Sequence, residues 1–386
     1  MSAIPPVDRA TLLKTLQDLV RINSINPTLA PGAPGEAAIA DYVESWLKAA
    51  EVEVARHETS PGRPSVVGIL RGNGGGRSLM LSAHLDTVDV RGMKAAFSGE
   101  YRDGRVYGRG AYDMKGSLAA CMVAVAALRQ GHALRGDVLL TAVADEEDAS
   151  LGTQDILHRY HADAAIVTEP TQLQVCLAHK GFCWLEVETF GVAAHGSRPE
   201  DGVDANMQMG QVLAHLRRLQ QRLNDRPAHP LLGHPSLHAA QLHGGTGAST
   251  YAAHCRLLIE RRTVPGETSG MILEEVGEIL GLLSGTDPDF RAGMRVQLSR
   301  DPFEVQPTAE IVQTLSRAAE GVLGRVPDRV GEMPWMDSAL LAAAGIETVV
   351  FGPIGSGAHA DVEWVDVDSV VCLAEILRLA AQSYCG

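Results

Sequence analysis

Leu79-Met80-Leu81-Ser82-Ala83-His84-Leu85-Asp86-Thr87-Val88 is the stretch on which the reading of the fold turns. Leu79–Ala83 is a short, mostly apolar run, as expected of a strand buried on both faces. It ends on an imidazole, and a carboxylate follows two residues later. On an extended chain His84 and Asp86 point the same way. An imidazole steadied by a carboxylate is the usual setting of a metal-binding histidine.

Similar runs flank this one. Ser65–Leu70, Val138–Ala144 and Ala164–Thr168 are short and rich in β-formers or alanine, and Thr348–Phe351 repeats the pattern near the end. Between them lie helical spacings: Leu12, Leu13, Leu16, Leu19 and Val20, then Ile39, Tyr42, Val43, Trp46 and Leu47, then the Ala-rich Gly116–Leu128. Alternating strands and helices imply an α/β layered fold. Near residue 180 the pattern changes. Phe182–Phe190 alternates apolar and acidic residues, and helices are expected near Val203–Leu223 and Thr268–Leu283, with a strand near Cys255–Glu260 between them. That is a small α+β unit. The α/β character then returns, with helices near Thr308–Leu323, Ser338–Ala344 and Asp368–Ser383. The expected organisation is therefore a discontinuous domain, 1–180 and 294–386, with residues 181–293 inserted into it.

Acidic and imidazole groups gather where the apolar runs end. Asp145-Glu146-Glu147-Asp148 follows one run, Glu169-Pro170 another, and Gly357-Ala358-His359-Ala360-Asp361 follows the last. Asp113 sits in the glycine-rich turn before the Ala-rich helix. In an open α/β sheet, the loops at the carboxyl ends of the strands form the ligand crevice. Each group alone reads more readily as a solvated loop or a structural histidine than as a site. Their repetition after one strand after another points instead to a shared site. Two histidines and three carboxylates, one able to bridge, suit a pair of Zn²⁺ or similar ions about 3.5–4 Å apart. A spare carboxylate, Glu146 beside Glu147, suits a proton acceptor for an activated water.

Composition narrows the partners. With 33 Lys+Arg against 47 Asp+Glu, the net charge of −14 argues against nucleic acid and against anionic lipid. No run of 18 apolar residues suggests a membrane span. The start, Met1–Pro6, has neither the basic residues nor the apolar stretch of a secretory signal, and the six scattered cysteines contain no C-x-x-C pair. A cytoplasmic protein with reduced thiols is expected.

Taken in order, HLDTV (84–88), GRGAYDMKG (108–116), DEEDASLGT (145–153), TEPT (168–171), HGSRPEDGVDA (195–205), RRTVPGE (261–267) and GAHADVEWV (357–365) resemble the dinuclear-zinc aminoacylase and carboxypeptidase family over nearly the whole chain. That family includes acetylornithine deacetylase, succinyl-diaminopimelate desuccinylase and glutamate carboxypeptidase. The resemblance implies a zinc-exopeptidase-like α/β domain and an inserted, ferredoxin-like α+β lid that mediates homodimerisation. It further implies one ion on His84 and Glu169, a second on Glu147 and His359, and Asp113 between them. Asp86 would orient His84, Glu146 would be the general base, and His195 would stabilise the oxyanion from the partner subunit. Arg262 would bind the substrate carboxylate, a task suited to a planar bidentate donor. The ions would be zinc, with cobalt or manganese as alternatives.

The chain departs from the family where an asparagine and a downstream proline are common: Ser249 and Thr250 stand near the first position and Ala252 at the second. The activity implied is hydrolysis of an N-acyl amino acid in amino-acid biosynthesis. Cleavage of short peptides, as by a carboxypeptidase or dipeptidase, is the alternative, and a non-catalytic amino-acid-binding relative a further one. No G-x-S-x-G elbow supports a serine hydrolase.

Overall fold

The computed structural model describes residues 4–131 and 134–386. The chain divides into two compact units, Met1–Leu177 with Val305–Val330 and Met336–Gly386, and Ala178–Glu304 with Gly331–Trp335.

The first unit is built on a mixed sheet. Its strands run in the order Glu53–Ser60, Arg63–Leu70, Val138–Val143, Leu79–His84, Ala164–Val167 and Glu347–Val350, followed by Val175–His179. The inner strands Val138–Val143, Leu79–His84, Ala164–Val167 and Glu347–Val350 are parallel neighbours. The first three are buried along their whole length, which explains why they read as continuous apolar runs. Because they are parallel, their carboxyl ends share one edge of the sheet.

Helix Gly116–Gln130 packs against strand Leu79–His84 and helix Val367–Cys385. It is apolar on nearly every face, and a helix of that kind belongs inside a protein. The stretch Ala111–Gln130 is long and apolar enough to cross a membrane, yet 89% of its apolar window is buried within the fold. Burying residues such as Leu118, Val123 and Val125 contributes about 1.5–3 kcal/mol each. The closing helix Val367–Cys385 is capped by Asp366, whose carboxylate accepts from the Ser369 N–H at 2.8 Å.

A small antiparallel sheet joins two segments distant in sequence. Gly355–Ser356 pairs with Trp364–Asp366, which pairs with Arg105–Tyr107. The loop carrying His359 thus lies beside the strand that leads into the turn carrying Asp113.

The second unit runs strand, helix, strand, strand, helix, strand, the βαββαβ arrangement. Its sheet order is Ser236–Gly244, His254–Thr263, Gly181–Phe190, Ala292–Arg300, all antiparallel. Helices Ala205–Asn224 and Ser269–Thr286 contribute Val212, Leu216, Val276 and Ile279 to one core with Leu185, Val187, Leu257 and Ile259. The unit begins a few residues before 181 and reaches past 293. Strand Ala292–Arg300 belongs to it; Met294, Val296 and Leu298 alternate with Arg295, Gln297 and Ser299, although Arg295–Gln297 are all exposed.

Candidate metal centre

Three of the four parallel strands deliver side chains directly to their shared edge. His84 is the last residue of its strand, Glu146 and Glu147 follow Val138–Val143, and Glu169 follows Ala164–Val167. His359 comes from the loop beyond Glu347–Val350, and Asp113 from the irregular turn before helix Gly116–Gln130.

These side chains meet. His84 Nε2 lies 3.1 Å from Asp113 Oδ1 and 3.6 Å from Glu169 Oε1. His359 Nε2 lies 3.0 Å from Glu147 Oε2 and 3.4 Å from Asp113 Oδ2. The two oxygens of Asp113 therefore face two different imidazoles. His84, Asp113 and Glu147 form one group of ligand atoms close enough for a single ion, and His84, Glu146 and Glu169 form another.

Asp86 steadies His84 through its carbonyl oxygen, 3.0 Å from Nδ1; its carboxylate stands off at 3.7 Å. That carboxylate has other work. It accepts from the Glu146 and Glu147 N–H groups at 3.1 and 3.2 Å and from Asn26 Nδ2 at 2.8 Å, fixing the turn that holds both glutamates.

The cluster carries more negative charge than its two imidazoles offset. Burial first, and then the opposed pulls of His84 and the neighbouring carboxylates, push Glu169 up to about 8. Burial, with the charge of Glu169 next, also holds Glu146 well above the usual carboxylate range. Hydrogen bonds to Asp113 and Glu147 raise His359 to about 10. Burial works against His84 holding a proton, but Glu169 and Asp113 raise it overall. Asp113 goes the other way, because both imidazoles outweigh its burial. Glu147 Oε1 is buried without a hydrogen-bond partner. An imidazole–carboxylate set short of positive charge, with an unpaired buried oxygen, fits divalent ions of the zinc type.

Several supporting residues were not visible as site residues in the sequence. Asp145 has a left-handed φ of 69° and accepts from Asn26 Nδ2 at 3.0 Å and from Arg63 Nη2 at 2.6 Å. Arg63 also makes a two-pronged pair with buried Glu36 at 2.6 and 2.7 Å. The chain Glu36–Arg63–Asp145–Asn26–Asp86 thus backs the turn of Glu146 and Glu147. Asp337 is buried nearby, bonded to Thr153 Oγ1. Asp145 stands in a quoted motif, but nothing in the sequence marks Arg63 or Glu36.

His195 and Arg262 belong to the second unit. His195 follows strand Gly181–Phe190, is exposed, and its Nδ1 lies 2.8 Å from Ser197 Oγ. Arg262 pairs with Glu260 at 2.9 Å, and its guanidinium sits 5.3 Å from the centre of the Phe182 ring. Its neighbour Arg261 is buried and paired with Glu267. The loop segment near Ser249 and Thr250 meets the His195 segment, where the Gly196 N–H donates to Ser249 O at 2.8 Å. Three other histidines of this unit each face one carboxylate, His229 with Glu304 at 3.1 Å, His238 with Glu260 at 3.6 Å and His254 with Glu188 at 2.8 Å. All six cysteines are free thiols.

Imidazoles and carboxylates assembled on adjacent strand ends in this way make a candidate site for divalent metal ions. Residues 80–383 match peptidase family M20/M25/M40, and the chain belongs to that family of metal-dependent amide hydrolases. It is 29% identical to an acetylornithine deacetylase of Myxococcus xanthus, covering 97% of this chain and 98% of that one. It is 27% identical to an N-formyl-4-amino-5-aminomethyl-2-methylpyrimidine deformylase of Bacillus subtilis (strain 168), covering 93% and 92%. In fold it is similar to the aminopeptidase PepT of Bacillus cereus ATCC 10987, with a TM-score of 0.81 at 18% identity and coverage of 98% and 100%.

Proposed function

We propose that the chain hydrolyses the amide bond of an N-acyl amino acid at a dinuclear centre. The observation that carries this reading is Asp113, whose two oxygens face His84 at 3.1 Å and His359 at 3.4 Å, as a carboxylate between two ions must. One ion would rest on His84 and Glu169, the other on Glu147 and His359. Such ions, zinc or otherwise cobalt or manganese, polarise a carbonyl and make water more acidic.

The protein's own groups do the rest. Glu146 lies within reach of the position of His84 and Glu169, but with Glu169 holding that ion its raised affinity for protons suits a base that takes one from water and passes it to the departing nitrogen. Asp86 keeps the Glu146–Glu147 turn in place. Arg262, a fork of donors beside an aromatic ring, would bind the substrate carboxylate. His195 would donate to the developing oxyanion from the partner of a homodimer. The end strand Ser236–Gly244, exposed from His238 onward, offers an unpaired edge in keeping with dimerisation through this unit.

A deacetylase and a deformylase among the relatives, both removing small acyl groups, favour acyl hydrolysis over peptide cleavage. Free cysteines and small-molecule chemistry agree with a cytoplasmic enzyme of amino-acid metabolism. The test is hydrolysis of N-acetyl, N-succinyl and dipeptide substrates by metal-loaded wild type and Glu146→Gln. Wild type should favour an N-acyl amino acid, and the variant should keep both ions while kcat falls ~10²–10⁴-fold. Full activity in the variant removes Glu146 as base, and preference for dipeptides replaces the acyl reading with a peptidase.

A further inference from the structure

The segments that carry Asp113 and His359 are far apart in the chain, and one buried carboxylate joins them. Glu363 is 2% exposed. Its Oε2 accepts from Arg109 Nη1 at 2.7 Å and from the Gly110 N–H at 3.0 Å. Its Oε1 accepts from the Tyr112 N–H at 2.9 Å and the Asp113 N–H at 3.0 Å. A carboxylate offers about four lone-pair sites, so these donors saturate it. The connection is also made in return. Arg109 Nη2 donates to the carbonyl of Ala360, the residue after His359, at 3.0 Å, and Arg109 Nε donates to Asp89 O at 3.0 Å. Gly108 N–H donates to the Glu363 carbonyl at 3.2 Å.

The backbone is shaped for this closeness. Gly110 has φ +79°, and a Cβ there would lie 2.7 Å from Thr87 Cγ2. Gly357 has φ +90°, and a Cβ would lie 1.9 Å from Val362 O. Both positions therefore require glycine.

His84 and Glu169 reach the cluster on the ends of buried strands, independent of this clamp. Asp113 and His359 reach it on irregular backbone, and the clamp is what sets one against the other. We infer that Glu363 is a positioning residue that registers Asp113 against His359, and that it governs the ion assigned to Glu147 and His359 more than the ion assigned to His84 and Glu169. The inference rests on the dinuclear reading above.

The test is stepwise Co²⁺ titration of metal-stripped wild type and Glu363→Gln, followed by calorimetry and by the visible spectrum. Glutamine keeps the size of the side chain but sets an NH₂ against N–H donors and withdraws the charge facing Arg109. The first equivalent should keep its Kd within about threefold, while the second weakens about 10-fold or more. On a His359→Ala background, Glu363→Gln should shift the remaining equivalent, which still shares Asp113, by no more than about threefold. Equal weakening of both equivalents, no weakening of either, or a tenfold or larger loss on that background overturns the inference. If wild type itself binds fewer than two equivalents, the dinuclear reading fails and this inference with it. Should Glu363→Gln not fold, Arg109→Lys keeps a cation against Glu363 without an arm for Ala360 O, and the same split between equivalents is expected.

Discussion

His84 and His359 address the same Asp113 carboxylate from opposite kinds of structure. The His84 side chain is 1% exposed, at the end of a central parallel strand, with its Nδ1 held 3.0 Å from Asp86 O. The His359 side chain is 56% exposed, on a loop, at a left-handed φ of 61°. One half of the centre is set by the sheet itself. The other is set by hydrogen bonds between two loops. The two halves should therefore differ in how firmly they hold an ion and in what perturbs them, and Asp113 is the point at which they are coupled.

The largest effect expected is on removing that coupling. Asp113→Ala should empty both positions and abolish activity, whereas His84→Ala and His359→Ala should each leave about one ion bound, because a carboxylate shared by two ions serves both. Metal analysis of the three purified variants decides it. Equal losses in all three would break the division into halves.

The same division explains what could be read from the sequence. His84, Glu146, Glu147 and Glu169 each follow an apolar run, and a run buried on both faces announces its own end. Asp113 and His359 are marked less sharply: His359 lies several residues beyond the last apolar run, and Asp113 in a glycine-rich turn before a helix. Asp113 and Met114 depart from helical geometry, with φ of −117° and −133°, in a turn without a period, so no strand end fixes the place of either ligand. The supporting network is hidden for another reason. Asn26 meets Asp145 across 119 positions, and Arg63 meets Asp145 across 82, so no local pattern records the contacts. Burial also decides which strands are legible. Ser236–Gly244 is exposed on both faces over most of its length, and Glu53–Ser60 is an edge strand without a fully buried residue, so neither shows an alternation.

A second perturbation acts on the strand-end turn that carries Glu146 and Glu147. Arg63 lies between Glu36 and Asp145, both fully buried, and replacing it leaves two buried carboxylates without their cation. Arg63→Met should cost about 3–5 kcal/mol of folding stability, the range for breaking a buried pair by removing one partner. Denaturant unfolding of the metal-free protein measures this, since bound ions would add their own linkage. Arg9→Met, which breaks the exposed pair with Asp368, provides the control and should stay within about 1 kcal/mol. A small loss for Arg63→Met would mean that this turn owes its rigidity to packing rather than to this network.

The smallest expected effect is kinetic, and it tests the contrast between the two imidazoles most directly. An ion can leave only when a ligand swings away and a competing ligand or water takes its place. His359 can turn into solvent from its loop, a local opening of the inexpensive kind. His84 cannot leave Asp86 O without disturbing the end of a buried strand. A chelator in moderate excess should therefore remove the two ions in separate phases, the one near His359 first. An extra opening cost of ~1.4 kcal/mol on the sheet side already separates the phases by about tenfold. The variants assign the phases: His359→Ala should show the slow one alone, and His84→Ala the fast one alone. A single phase in wild type, or the reverse assignment in the variants, would mean that strand and loop hold their ligands equally well. Asp113 would then bind the two ions into one unit that opens together.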